Sequence, residues 1–121
     1  MKTQLITPQL VEQFLDYPLY SQDGKKGDAV CVCAFYIGNV RWYVLEGQPE
    51  GDDFILYAIV VGLSETEYGY VSVHELQQLE LDASRYGLGK MHVSMFTDFS
   101  MVPLDQIKDV ELQDFLTSLY H

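Results

Sequence analysis

Two cysteines, three histidines and eighteen acidic side chains are the groups in this chain that could do chemistry. Cys31 and Cys33 stand two residues apart in an apolar run. On one strand, that spacing points both thiols to the same face, a poor geometry for a disulfide. A Cys-x-Cys pair can be half of a metal site, but no second cysteine pair completes it, so both read as small core residues. A thiol nucleophile needs a base beside it. His92, on a candidate strand, is the one histidine placed to serve, and no local motif supports the pairing. His74 falls on a candidate helix and His121 ends the chain. No two histidines have the i, i+4 spacing of a helical zinc site. Neither a catalytic set nor a metal or cofactor is expected.

The acids carry one candidate. Glu50, Asp52 and Asp53 crowd the QPEGDD segment but lack the alternating pattern and distal Glu of a calcium loop, and read as a solvated turn. Glu46 differs, because it ends an apolar strand. Simple alternation puts it on the face of Cys31 and Trp42, and the cost of burying an unpaired acid puts it at the sheet rim.

These groups must be positioned by the stretch from Ala29 to Leu63. AVCVCAFYI, VRWYVLE and FILYAIVVGL are rich in β-branched and aromatic residues. Gly38-Asn39 joins the first two through a two-residue hairpin turn. That turn sets Ile37 opposite Val40, Tyr36 opposite Arg41, Phe35 opposite Trp42, Ala34 opposite Tyr43 and Cys33 opposite Val44. One face is apolar. The other holds Tyr36, Arg41 and Tyr43, where Arg41 over Tyr36 would make a cation–π contact worth roughly 0.5–1 kcal/mol. The third run scarcely alternates, as expected of a strand covered on both faces.

Around the sheet, Thr7 and Pro8 open a helix with the stripe Leu10, Val11, Phe14 and Leu15, stopped by Pro18. Tyr68 to Val71 reads as a short strand. Ser72-Val73-His74-Glu75 is a capping box for a helix to about Leu79. Asp82 to Lys90 reads as a loop, Met91 to Phe96 as the last strand, and Pro103 to Ile107 as a helical turn. Leu112, Phe115, Leu116 and Leu119 stripe a terminal helix. The fold class is α+β: a single domain over residues 1–121, with an antiparallel sheet of four or five strands covered by N-terminal and C-terminal helices.

The net charge of −11 argues against direct binding to nucleic acid or an anionic membrane and is compatible with a basic protein partner. No apolar run reaches membrane-spanning length, and the first residues lack the pattern of a signal peptide. With unpaired cysteines, this points to the cytoplasm. Aromatic residues supply the better lead to a site. Tyr20, Tyr36, Trp42, Tyr43, Tyr57, Tyr68 and Tyr70 lie in or beside the sheet region, and a subset could line a groove next to the Tyr20 loop.

Several segments in order resemble a bacterial family known as domain of unknown function 2958. They are TPQLVEQF, Pro18-Leu19-Tyr20-Ser21-Gln22-Asp23-Gly24, Trp42-Tyr43-Val44-Leu45-Glu46-Gly47, Ala58 to Leu63, and Glu67-Tyr68-Gly69-Tyr70-Val71-Ser72-Val73-His74-Glu75-Leu76. The resemblance weakens from Leu81 onward. It implies a small cytoplasmic protein often carried on plasmids or other mobile elements, and no catalytic residues. Candidate ligand- or partner-binding residues are Tyr20, Ser21, Gln22, Asp23, Arg41, Trp42, Tyr43 and Glu46. Two functions are compatible with them. One is a non-enzymatic interaction or regulatory module, in one version a counter-defence factor whose acidic surface imitates nucleic acid. The other is a small ligand-binding protein or enzyme with its site near the Tyr20–Asp23 loop. Oligomeric state is left open.

Overall fold

The structure, a computed structural model, describes residues 5–120; His121 lies outside them. Helix α1 (Pro8–Phe14) is followed by a long loop and the short strand β1 (Val30–Cys31). Then come β2 (Cys33–Ile37), β3 (Val40–Glu50), β4 (Asp53–Val61) and β5 (Glu67–Ser72). Helix α2 (Val73–Gln78) leads into a small hairpin of β6 (Glu80–Asp82) and β7 (Lys90–His92). The chain closes with β8 (Ser94–Met95), β9 (Val102–Pro103) and α3 (Val110–Tyr120). The main sheet has five strands in the order β5-β4-β3-β2-β8, every described pairing antiparallel. The fold is thus α+β, as the sequence indicates. Among the described residues no helix is long and apolar enough to cross a membrane.

The hairpin register is the expected one, from Ile37 opposite Val40 to Cys33 opposite Val44. Caps were equally legible. Thr7 Oγ1 accepts from the Leu10 N–H at 3.1 Å, and Ser72 Oγ from the Glu75 N–H at 3.0 Å, each satisfying an orphan donor of a helix start.

The sheet is covered on both faces. One face packs Phe35, Trp42, Val44, Leu56 and Ala58 against Leu10 and Phe14 of α1 and Val73 and Leu76 of α2. The other packs Ala34, Tyr43, Leu45, Ile59 and Val61 against Leu104 and against Leu112 and Leu116 of α3. The face expected to be mixed is therefore a second core, because the terminal helix lies over it.

Several expectations need correction. The run from Ala29 is broken at Val32, where β1 leaves the main sheet to pair with β9. Cys31 consequently faces the α3 core and Cys33 the α1 core, not a shared face; both are free and buried. Only Leu10 and Phe14 of the α1 stripe are buried: Val11, within the helix, and Leu15, past its end at Phe14, are exposed. QPEGDD is mostly strand: β3 and β4 pair as far as Glu50 opposite Asp53, leaving Gly51-Asp52 as the turn. The Asp82–Lys90 loop is the tip of a hairpin whose strands begin and end within it, and Met91–Phe96 is two short strands interrupted at Val93, with β9 still to follow. Each of these strands has two or three residues, too few for alternation to register.

Gly62, at the end of β4, takes a φ of +102°, and a Cβ there would stand 2.1 Å from the Asn39 carbonyl oxygen. Only a residue without a side chain lets the β2–β3 turn approach the end of β4 this closely. Gly62→Ala combines backbone strain with a backbone clash and is expected to cost about 3 kcal/mol or more. The urea midpoint should fall accordingly with m unchanged.

Candidate partner-binding site

Glu46 is the residue from which the site is built. A β-bulge falls between Val44, opposite Ala58, and Glu46, opposite Tyr57. The extra residue, Leu45, makes two consecutive side chains serve the α3 side of the sheet. Glu46 therefore lies on the α3 side, as Cys31 does, and not on the face of Trp42, and it is not at an open rim. It is 1% exposed. Its carboxylate lies under the loop that follows α1. Oε1 accepts from the Tyr20 N–H at 2.7 Å and Oε2 from the Gln22 N–H at 2.8 Å. These short bonds are charge-assisted, and they replace the cation that a buried acid otherwise needs.

Gln22 secures the same loop from the other side. Its amide donates to the Leu45 and Val30 carbonyls at 2.7 and 2.8 Å and accepts from the Val30 N–H at 2.6 Å. Two further bonds run alongside, from the Gly47 N–H to the Tyr17 carbonyl and from the Leu19 N–H to Gln48 Oε1. The end of β3 is thus a docking rail for residues 17–22. The loop is bent hard against it: Tyr20 has φ +73° and Lys26 φ +55°, the non-glycine positions of positive φ among the described residues. Such conformations cost of order 1–3 kcal/mol each and persist where the surroundings enforce them.

The bent loop presents side chains to a row of aromatic rings. Tyr57 of β4 lies 4.8 Å from Tyr70 and 5.5 Å from Tyr68, both on β5, the second pair nearly parallel at 11°. Tyr68 in turn meets Phe115 of α3 at 5.6 Å and shares a 2.6 Å hydroxyl hydrogen bond with Tyr120. Lys26 places its Nζ 5.7 Å over the Tyr120 ring. At the other end, the Tyr20 hydroxyl neighbours that of Tyr70. Tyr20 is 65% exposed and Tyr70 55%. Desolvation, the Tyr20 hydroxyl and the negative fields of this cluster push the Tyr70 phenol up to about 12. Burial and then Glu46 also raise Tyr57, since a nearby negative charge disfavours a phenolate.

The candidate residues thus divide into three places. Tyr20, Ser21, Gln22 and Asp23 share the loop docked on Glu46, with Ser21 and Asp23 exposed. Trp42 faces the opposite core and joins nothing at this site. Arg41 and Tyr43 lie on the Glu46 side but at the far end of the face. There they converge on Asp109, which caps α3 by accepting from the Leu112 N–H. Arg41 bonds Asp109 at 3.0 and 3.1 Å and Glu111 at 3.3 Å, and the Tyr43 hydroxyl donates to Asp109. The cation–π contact expected of Arg41 with Tyr36 is not made, because the guanidinium turns to these acids; the Tyr36 ring packs on Phe96 at 4.5 Å. A separate concavity of about 310 Å³ opens there, lined by Tyr36, Met95, Phe96, Thr97, Asp98 and Phe99.

The rings of the row were only partly foreseeable. Tyr68 and Tyr70 stand two apart on one strand, which puts them on one face. Tyr57 falls opposite Tyr70 once the β4–β5 register is known. Phe115, Tyr120 and Lys26 reach the row through the docking of α3 and the strained loop, which no local pattern encodes.

Two outcomes follow from these anchors. Glu46→Gln sets an amide N–H against one backbone N–H and is expected to cost about 2–4 kcal/mol. Hydrogen exchange should accelerate across residues 17–28 before it does in β3 or β4. Asp109 is the pH-sensitive anchor. Burial alone would raise it, but hydrogen bonds from Tyr43, the Leu112 N–H and Arg41 outweigh that and hold it below its ordinary 3.8. A carboxylate lowered in the folded state adds stability that is complete above its unfolded value and lost as pH falls through the folded one. Denaturation series should therefore show Asp109→Asn less stable at neutral pH, with the gap to wild type closing below about pH 4.

No curated protein and no solved structure matches the chain. One family model does, and its match spans residues 5–98, further than the quoted motifs and through the β6–β7 hairpin to the end of β8. On that match the chain belongs to the family of proteins of unknown function DUF2958.

Proposed function

We propose that this protein is a non-enzymatic binding module, one that engages a basic protein partner through an acidic surface and the exposed end of the tyrosine row. The observation that carries the reading is the row itself. Tyrosine rings are large, amphipathic and cheap in entropy to immobilise, which suits recognition. A loop needed only to connect α1 to the sheet has no reason to hold Tyr20 at φ +73° when glycine would adopt that conformation without strain. The use of polar groups supports binding over catalysis. Both carboxylate oxygens of Glu46 and both polar atoms of the Gln22 amide are engaged by backbone groups, so both side chains serve to hold the loop, and the carboxylate is not presented to a substrate.

The charge of −11 supplies the partner's sign. Complementary fields steer association and are screened by salt. In its sharper form the module acts in the cytoplasm on behalf of a mobile element, imitating nucleic acid to occupy a nucleic-acid-binding protein of the host. Immobilised protein presented to a bacterial lysate at low ionic strength is expected to retain basic proteins, released by added salt and displaced by duplex DNA. Retention of nothing basic at low salt would defeat the proposal. Retention that DNA does not displace would defeat mimicry and leave the binding module.

A further inference from the structure

We propose that the open end of the tyrosine row is a seat for an arginine side chain of the partner, formed by Tyr20, Tyr57 and Tyr70 over the buried carboxylate of Glu46. The inference rests on the reading above and names the group recognised. Three observations converge on it.

The first is charge. Glu46 is fully buried, and among the described residues no lysine, arginine or histidine forms an ion pair with it. Backbone dipoles satisfy its hydrogen bonds but leave its net charge in place, beneath rings whose faces are themselves negative. Asp23, on the exposed loop beside it, adds to the same field, as the upward shift of Tyr57 reflects.

The second is that the row already accepts a cation. Lys26 sits over Tyr120 at the opposite end, within the distance at which an ammonium is attracted to a ring face. Among the described residues no such occupant covers Tyr20 and Tyr70, which are the most exposed rings of the row. The third is conformational. Positive φ at Tyr20 and Lys26 bends the loop so that it delivers one ring to the open end and one cation to the closed end.

Arginine fits this end better than lysine. The niche offers ring faces and phenol oxygens, while its carboxylate is out of direct reach. A guanidinium is planar, stacks on aromatic faces and is weakly hydrated; an ammonium is strongly hydrated and would lose more than the niche returns. Nucleobases also stack on tyrosine, but the phosphates that come with them would be repelled by Glu46, Asp23 and the overall charge.

The test is calorimetric titration of the full chain with a Gly-Arg repeat peptide at low salt, beside Gly-Lys and Gly-citrulline peptides of equal length and a single-stranded oligonucleotide. The Gly-Arg peptide is expected to bind best. Tyr20→Ala/Tyr70→Ala should weaken it about tenfold, and Tyr70→Phe, which keeps the ring face and loses one phenol oxygen, should weaken it far less. Both altered side chains are largely exposed, so the fold is retained, and the Phe variant guards against a general structural effect. Equal binding by the double variant would overturn the seat while leaving the acidic-surface reading intact. Equal binding of Gly-Lys would overturn the choice of arginine. Absence of any cationic-peptide binding, or preference for the oligonucleotide, would overturn both readings.

Discussion

The Glu46 carboxylate is buried in the second half of the longest strand, and backbone N–H groups, not a counter-ion, satisfy its hydrogen bonds. Moving an ionised carboxyl out of water costs several kcal/mol even after relaxation. Donation from the Tyr20 and Gln22 N–H groups offsets that cost only if the loop wraps closely enough to aim both at one side chain. The carboxylate in turn depends on the bulge at Leu45. With unbroken alternation, Glu46 would point into the face where Phe14, Phe54 and Leu56 pack, an apolar surface with no donors to offer. One inserted residue therefore decides which core receives the acid, and the position of residues 17–22 follows from it.

A second polar anchor sits at the other end of the same face, where Arg41 and Tyr43 meet Asp109. The two anchors are chemically unlike but do comparable work. Apolar packing between them, through Leu45, Ile59, Leu104, Leu112 and Leu116, is strong and not directional. It would tolerate sliding of α3 or of the loop over the sheet. Directional bonds at either end remove that freedom, since a shifted helix or loop would leave buried polar groups unpaired. The tyrosine row lies where both covering elements meet the β4–β5 edge. Its geometry thus depends on the loop anchor for Tyr20 and Lys26 and on the helix anchor for Phe115 and Tyr120.

This division explains what could be read from the chain in advance. The hairpin register, the Thr7 and Ser72 caps and the α+β class follow from local pattern, because turn chemistry, capping and alternation act over a few residues. Tyr20, Gln22 and Glu46 could be marked individually, but the bulge that joins them leaves no local signature: VRWYVLE reads as unbroken alternation. Sequence neighbourhood groups Trp42 and Arg41 with them, and the pleat and the pull of Asp109 separate them by face and by end. Nothing local marks Asp109, because its importance comes from Arg41, 68 residues away. Of the short strands, Met91 to Phe96 reads as strand but without its break at Val93, while β6 and β9 leave no pattern: their pairing partners, more than their own composition, make them strands.

The boundary of the family match adds a final distinction. Tyr20, Glu46, Tyr57, Tyr68 and Tyr70 all lie within residues 5–98, while Asp109, Phe115 and Tyr120 lie beyond. The open end of the row, with its carboxylate, therefore belongs to the segment that defines the family, and the closed end to the part that follows it. The proposed seat needs only the first. Its rings are carried by β4, β5 and the docked loop, and its charge by β3, all held by sheet pairing and the Glu46 bonds. Helix α3 adds Tyr120, and with it the ring that engages Lys26, so it fixes how far along the row a cationic side chain can reach. In the proposed seat, recognition of the cation and the extent of the surface around it would in this way be set by different parts of the chain.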